Sequence, residues 1–284
     1  MEFLSGLKKL FAGKDKPSNA EVEAASDAAK ATWYPKIAAL GIPTVALTCS
    51  DDVSNTYFGG LPKLPSGLSW PANKSKPLIF LAQIDLSELP PGFDASGLPA
   101  SGTLFFFYDE DQPWGFDPAD RTGWSVLYTS EETKSLPDFQ GNPPLEIDQS
   151  YIEMTATTTS PSLDHGLVEA LEIPAEELDC LDDFYEDQPS DHLLGYPDPV
   201  QDDDMDLQCQ LTSNGVYTGS GDYYHSVEGK ALAPGRHDWI LLAQFFEIDE
   251  NFPFGDLGKL YFWIRKQDLD AGDFSKVWAI LQCH

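Results

Sequence analysis

Positive charge is what this chain has least of. Seventeen lysines and arginines stand against 47 aspartates and glutamates, a formal charge of −30. From Ser135 to Gly229 no lysine or arginine occurs. Such a surface cannot replace the counterions of a phosphate backbone, which excludes nucleic acid as a partner. Long apolar runs are missing too: none reaches the roughly 18 residues of a membrane span. The amino terminus lacks the cationic start and continuous apolar core of a secretory signal. Four cysteines, Cys49, Cys180, Cys209 and Cys283, show no close pairing in sequence. A chain of 284 residues buries enough surface to fold without disulfides. Free thiols in a reducing cytoplasm are therefore expected.

Catalytic and cofactor signatures are absent as well. There is no phosphate-cradling glycine loop, no GxSxG elbow, no HExxH and no CxxC. No cofactor is expected. Carboxylate pairs are too numerous to be informative, since the unequal pKa values that acid–base chemistry needs depend on spacing in three dimensions.

What is present is a repeat. Leu78 to Tyr108 reads PLIFLAQIDL, a loop, then GTLFFFY; near the end DWILLAQFFEI is followed by GKLYFWI. Leu81-Ala82-Gln83 matches Leu242-Ala243-Gln244, and Phe105 to Phe107 match Tyr261 to Trp263. A third apolar run follows each copy, Val126–Tyr128 and Val277–Leu281. Two related β units, residues 78–128 and 239–281, are expected within one fold. Strict alternation along Leu78–Leu86 predicts Phe80 and Ala82 on one face, Leu81 and Gln83 on the other. Gln83 and Gln244 are the polar exceptions in these strands: either hydrogen-bonded in the core or exposed in a cleft.

The rest of the chain reads in order. Residues 1–11 carry Phe3, Leu4, Leu7, Leu10 and Phe11 at helical spacing beside Lys8 and Lys9. This amphipathic segment either docks on protein or touches an anionic membrane surface, and residues 1–29 are set apart from a domain at 30–284. One helix, or two broken near Pro35, is expected over Asn19–Leu40, and a strand over Ile42–Cys49. Pro62, Pro65 and Pro71 make Phe58–Pro71 a structured loop that anchors Leu61, Leu64 and Trp70; a ligand-binding loop is the competing reading. Thirteen acidic residues lie between Glu176 and Asp206, with a short helix expected over Ala175–Tyr185.

Candidate site residues follow from chemistry. Asp202, Asp204 and Asp206 offer oxygen ligands to a hard cation, but Leu207 and Ser213 stand where an EF-hand loop counted from Asp202 needs Gly and Glu. His192 beside carboxylates is the histidine to watch for catalysis, with Tyr196 joining a small pocket. Cys209 near Asp206 is a poor nucleophile if that carboxylate is close. Arg265, directly after an aromatic strand, is expected to anchor an ion pair. Trp70, Gln83, Tyr196, Gln244 and Arg265 are the candidate binding residues.

Gly59-Gly-Leu-Pro-Lys-Leu-Pro65, Trp70-Pro71, Phe80-Leu-Ala-Gln-Ile-Asp-Leu86, His192-Leu-Leu-Gly-Tyr-Pro197 with Gln201, and Gly255 to Arg265 together resemble the YwqG-like, or DUF1963, family. The terminal run Trp278–Cys283 sits where that family ends in a short strand. The resemblance covers roughly residues 30–283. It implies soluble bacterial proteins without an established activity, so it transfers no catalytic residue. The fold it implies is α+β: mainly antiparallel sheets built from the two β units in one compact body, with peripheral helices. The charge asymmetry makes a non-enzymatic module that binds a cationic protein the leading expectation. A small-molecule hydrolase using His192, or a divalent-cation binder, is the alternative.

Overall fold

The computed structural model describes residues 19–95, 97–131, 145–246, 248–249 and 252–284; the amphipathic stretch expected at 1–11 lies outside them. The fold is α+β, with one large antiparallel sheet nearly closed into a barrel, a small second sheet and peripheral helices. The strands are β1 (Ile42–Ser50), β2 (Tyr57–Phe58), β3 (Ala72–Asn73), β4 (Lys76–Pro77), β5 (Ile79–Asp85), β6 (Thr103–Tyr108), β7 (Trp124–Thr129), β8 (Ser150–Thr159), β9 (His192–Leu193), β10 (Trp239–Phe245), β11 (Lys259–Arg265) and β12 (Trp278–Gln282). The helices are α1 (Asn19–Ala38), α2 (Gly166–Glu169), α3 (Ala175–Leu178), α4 (Met205–Thr212), α5 (Val227–Leu232) and α6 (Lys266–Asp270).

The ten-stranded sheet runs β12-β11-β10-β9-β1-β8-β2-β5-β6-β7, and β3 pairs only with β4. Read outward from the long central β1–β8 pair, both sides show the same sequence of elements: a two-residue strand, then a three-stranded meander. The correspondence extends to single bonds. Gln83 Oε1 accepts from the Lys63 amide at 3.0 Å and Gln83 Nε2 donates to the Asn55 carbonyl at 2.9 Å. Gln244 Oε1 accepts from the Asp198 amide at 2.8 Å and its Nε2 donates to the Ser190 carbonyl at 2.7 Å. Gln83 pairs in register with Tyr57, and Gln244 with His192. The two short strands end alike: Gly59 and Gly60 have φ of 61° and 64°, and Leu194 and Gly195 have 59° and 84°. At Gly195 a Cβ would fall 1.8 Å from Thr44 Oγ1, so only glycine fits this turn.

Strict alternation along β5 does not hold, for a definite reason. The register shifts between Phe80 and Ala82, and equally between Leu241 and Ala243. One extra residue, Leu81 in one unit and Leu242 in the other, enters the strand as a β-bulge. Phe80 therefore faces outward with Phe105 and Phe107, while Ile79, Leu81, Ala82 and Ile84 join the inner core. The bulge also carries Gln83 to the outer face, opposite the expected placement and beside Phe105 and Tyr57.

Phe106 and Phe262 occupy equivalent inward positions and meet edge to face, with centroids 5.1 Å apart. Phe245 touches both, at 5.2 and 5.7 Å. The two units thus share one core. Where the sheet nearly closes, Trp124 Nε1 donates to the Val277 carbonyl at 3.0 Å and Trp278 Nε1 to that of Gly115 at 2.9 Å. These contacts cover edges that would otherwise offer unpaired backbone. Helix α1 continues through Pro35 and across residue 29, burying Ala29, Trp33 and Ile37 at i, i+4, i+8 spacing against Val168 and Leu181. The expected Ala175–Tyr185 helix divides into α3 and a 3-10 turn at Asp182–Tyr185.

The two glutamines set a stability test. Gln83→Leu takes the side-chain partner from the Lys63 amide and the Asn55 carbonyl, bonds that are part-buried, and Gln244→Leu does the same to Asp198 and Ser190. Each substitution should cost about 3 kcal/mol, read as a lower denaturant midpoint with an unchanged slope. A loss confined to one glutamine would show that the two networks are not energetically equivalent.

Candidate functional site: an acidic aromatic cleft

The outer faces of the two units are finished differently. In the first, Tyr57, Phe80, Phe105 and Phe107 are roofed by Leu64, Leu68 and Trp70. Trp70 lies edge-on to Phe107 at 5.6 Å, and its Nε1 donates to the Leu78 carbonyl at 2.8 Å. Register places Leu241 where the first unit has Phe80, and Trp263 where it has Phe107. There a cleft of about 1130 Å³ opens over Trp239, Leu241 and Trp263. Its rim is formed by Leu194–Pro197, which corresponds to Gly59–Pro62, by α2, and by the turn leading into α4. The indole N–H of Trp263 is buried without a hydrogen-bond partner among the described residues.

Five carboxylates, those of Asp164, Glu169, Asp203, Asp204 and Asp206, line the cleft against one guanidinium, that of Arg236. Arg236 Nε donates to Asp206 Oδ2 at 2.8 Å and its Nη2 to Asp204 Oδ1 at 2.9 Å, so this arginine is committed. Asp203 accepts from Ser162 Oγ at 2.8 Å; burial outweighs that bond and pushes its carboxyl up to about 6. His165 stands edge-on to Tyr196 at 5.2 Å. Its Nδ1 accepts from the Leu167 amide at 3.2 Å, capping α2, and burial lowers its pKa. At neutral pH the ring is uncharged, with its proton on Nε2. Among the described residues no serine, threonine or cysteine lines this cleft.

The structure distributes the expected site residues unevenly. Tyr196 lines the cleft and Arg265 lines a separate one. Gln83 and Gln244 are wholly buried, with their amides spent on the chain itself. Trp70 roofs the first unit. Arg265 forms no anchoring ion pair among the described residues; it lies over Trp239 at 4.9 Å and donates to Gln210 and Ser213. Asp204 and Asp206 join the cleft through Arg236, whereas Asp202 accepts from Gln208 Nε2 at 3.2 Å. Among the described residues no group of three His, Cys, Asp or Glu converges on a point that could hold a metal. Cys209 is fully buried, and burial, then Asp206, holds its thiol well above the usual range. Sequence reasoning missed Asp164, His165, Glu169, Trp239 and Trp263 as neighbours. Only the equivalence of Trp263 with Phe107 carried a hint of them.

His192 is fully buried and outside the cleft lining. Its Nδ1 lies 2.8 Å from the Leu194 carbonyl. A carbonyl only accepts, so Nδ1 carries the proton. Among the described residues Nε2 closes no hydrogen bond, although the Gln244 amide lies beside it. Burial lowers the imidazole to about 4, against the opposing Leu194 bond. The unfolded chain takes up this proton below about pH 6.5, so in that window it binds more protons than the folded chain, and stability falls as pH falls. His192→Gln lacks this contribution. Its destabilisation at pH 7 should shrink by about 2 kcal/mol at pH 5 in paired denaturation curves; a pH-independent difference would place the folded pKa near the ordinary value.

No curated protein matches this chain. The family described as a domain of unknown function, DUF1963, matches residues 56–283, an interval that holds all of the large sheet except β1 together with every residue lining the cleft apart from Ile42 and Pro43. With most of its length inside that match, the chain belongs to the DUF1963 family.

Proposed function

We propose that this chain is a non-enzymatic binding module of the bacterial cytoplasm, from the YwqG-like branch of its family, that takes a cationic segment of another protein into the acidic aromatic cleft. The observation carrying this reading is the difference between the two outer faces. The sheet position that Trp70 covers in one unit stands open in the other, walled by tryptophans and carboxylates. We read the halves as an internal duplication in which one copy was filled and the other kept free for a partner. An ammonium or guanidinium group suits that wall twice over, pairing with carboxylates and lying against aromatic faces. The wider charge of −30 would speed the encounter with such a partner.

The alternatives have less behind them. A hydrolase built on His192 would need that ring to reach substrate, and it is closed in beneath the sheet's outer turn. A divalent cation at the Asp202–Asp206 tract would have to displace Arg236 from Asp204 and Asp206.

A short polyarginine peptide is the first probe. Its binding, followed by tryptophan fluorescence, should weaken as salt rises. Tyr196→Ala and Asp203→Asn should each weaken it by about tenfold, the scale of one cation–aromatic or charge-assisted contact. Binding untouched by both substitutions would sink the assignment of this cleft.

A further inference from the structure

Only three arginines occur in the chain: Arg121, Arg236 and Arg265. Arg236 is held by two carboxylates. The other two, together with Lys276, line a second cleft of about 450 Å³ whose walls include Trp239 and Trp278. Neither Arg121, Arg265 nor Lys276 is ion-paired among the described residues. In a chain with 47 carboxylates and 17 basic side chains, three unpaired cations around one hollow run against the composition.

Both guanidinium groups are held in place by neutral partners. Arg265 lies over the Trp239 ring at 4.9 Å, and its Nη2 donates to Gln210 Oε1 at 3.3 Å and Ser213 Oγ at 3.2 Å. Gln210 is itself fixed, accepting from Trp239 Nε1 at 3.0 Å and donating to the Leu232 carbonyl at 3.2 Å. Arg121 donates to the Ser275 carbonyl and lies over Trp124 at 5.8 Å. Each guanidinium keeps unused N–H donors, and a planar fork set in advance is matched by phosphate or carboxylate oxygens. Among the described residues the one negative group in the lining is that of Asp268.

We propose that this second cleft, bounded by Arg121, Arg265 and Lys276, is a binding site for a small multivalent oxyanion bearing phosphate or carboxylate groups. It is independent of the cationic partner proposed for the first cleft, and either assignment can fail without the other. The two sites share Trp239 as a wall.

The test is a calorimetric titration of the full chain with inorganic pyrophosphate and, separately, with citrate. Saturable one-to-one binding of either supports the site. Preference for pyrophosphate identifies a phosphorylated ligand, preference for citrate a carboxylate one. Arg121→Gln and Arg265→Gln should each weaken binding by about tenfold. Lys276→Gln, a change at an exposed side chain that leaves the core packing alone, should weaken it several-fold, which covers the case in which an arginine variant does not fold. Asp268→Asn should tighten it. Lys76, which pairs with Glu110 and Asp111 elsewhere on the surface, supplies the control. Absence of heat with both anions at millimolar concentration, or a Lys76→Gln loss equal to that of Arg265→Gln, would overturn the proposal.

Discussion

A buried amide at each β-bulge is the constraint on which the architecture depends. The bulge turns Gln83 and Gln244 away from the inner core and toward the chain that enters and leaves the neighbouring two-residue strand. There each side chain supplies one acceptor and one donor to backbone that no strand can pair. Buried backbone groups must find partners somewhere, and here one side chain serves two of them. Without the amide the short strand has no fixed exit, and the loop crossing the sheet's outer face loses its register. In the second unit that loop is the rim of the acidic cleft, so a core glutamine positions Tyr196 at a distance. The same device in the first unit sets the loop that ends in Trp70.

Much of this was legible in the chain. Strand β1 and the six long strands of the two β units follow from β-forming runs between turns, and the Leu-Ala-Gln echo predicts equivalent places for Gln83 and Gln244. Three features were not legible, each for a physical reason. The bulges at Leu81 and Leu242 break the period of two, and an alternation argument assumes that period. Strands β2 and β9 have two residues each, too few for any pattern, and exist because their neighbours hold them. Helix α4 begins inside a run of aspartates that reads as a solvated loop, yet Leu207 and Leu211 are buried in a cluster of their own with Tyr223. The clefts were hidden for another reason: α2, the turn after β9, the start of α4 and strands β10 and β11 meet only in space. Arg265 shows the limit of reasoning from charge alone. Composition supplied carboxylates for it in abundance, and the fold gave it a tryptophan face and two neutral acceptors.

The two halves also differ in a way that bears on energetics. Where Thr56 offers a hydroxyl to the Asp85 amide in the first unit, Asp191 offers a buried carboxylate to the Phe246 amide at 2.7 Å in the second. Burial raises that carboxyl to about 6, with the Phe246 bond opposing it. A group whose folded pKa lies above its unfolded one contributes stability that is present at low pH and lost as pH rises through the folded value. The first unit performs the same structural task without charge. Asp191 is thus a local cost at neutral pH, beside His192, which is costly at acid pH. The half with the open cleft carries both burdens, and the half with the filled face carries neither. The second unit departs from the first at the strand beneath its cleft, where Asp191 and His192 stand in the places of Thr56 and Tyr57 and each lowers stability in its own pH range.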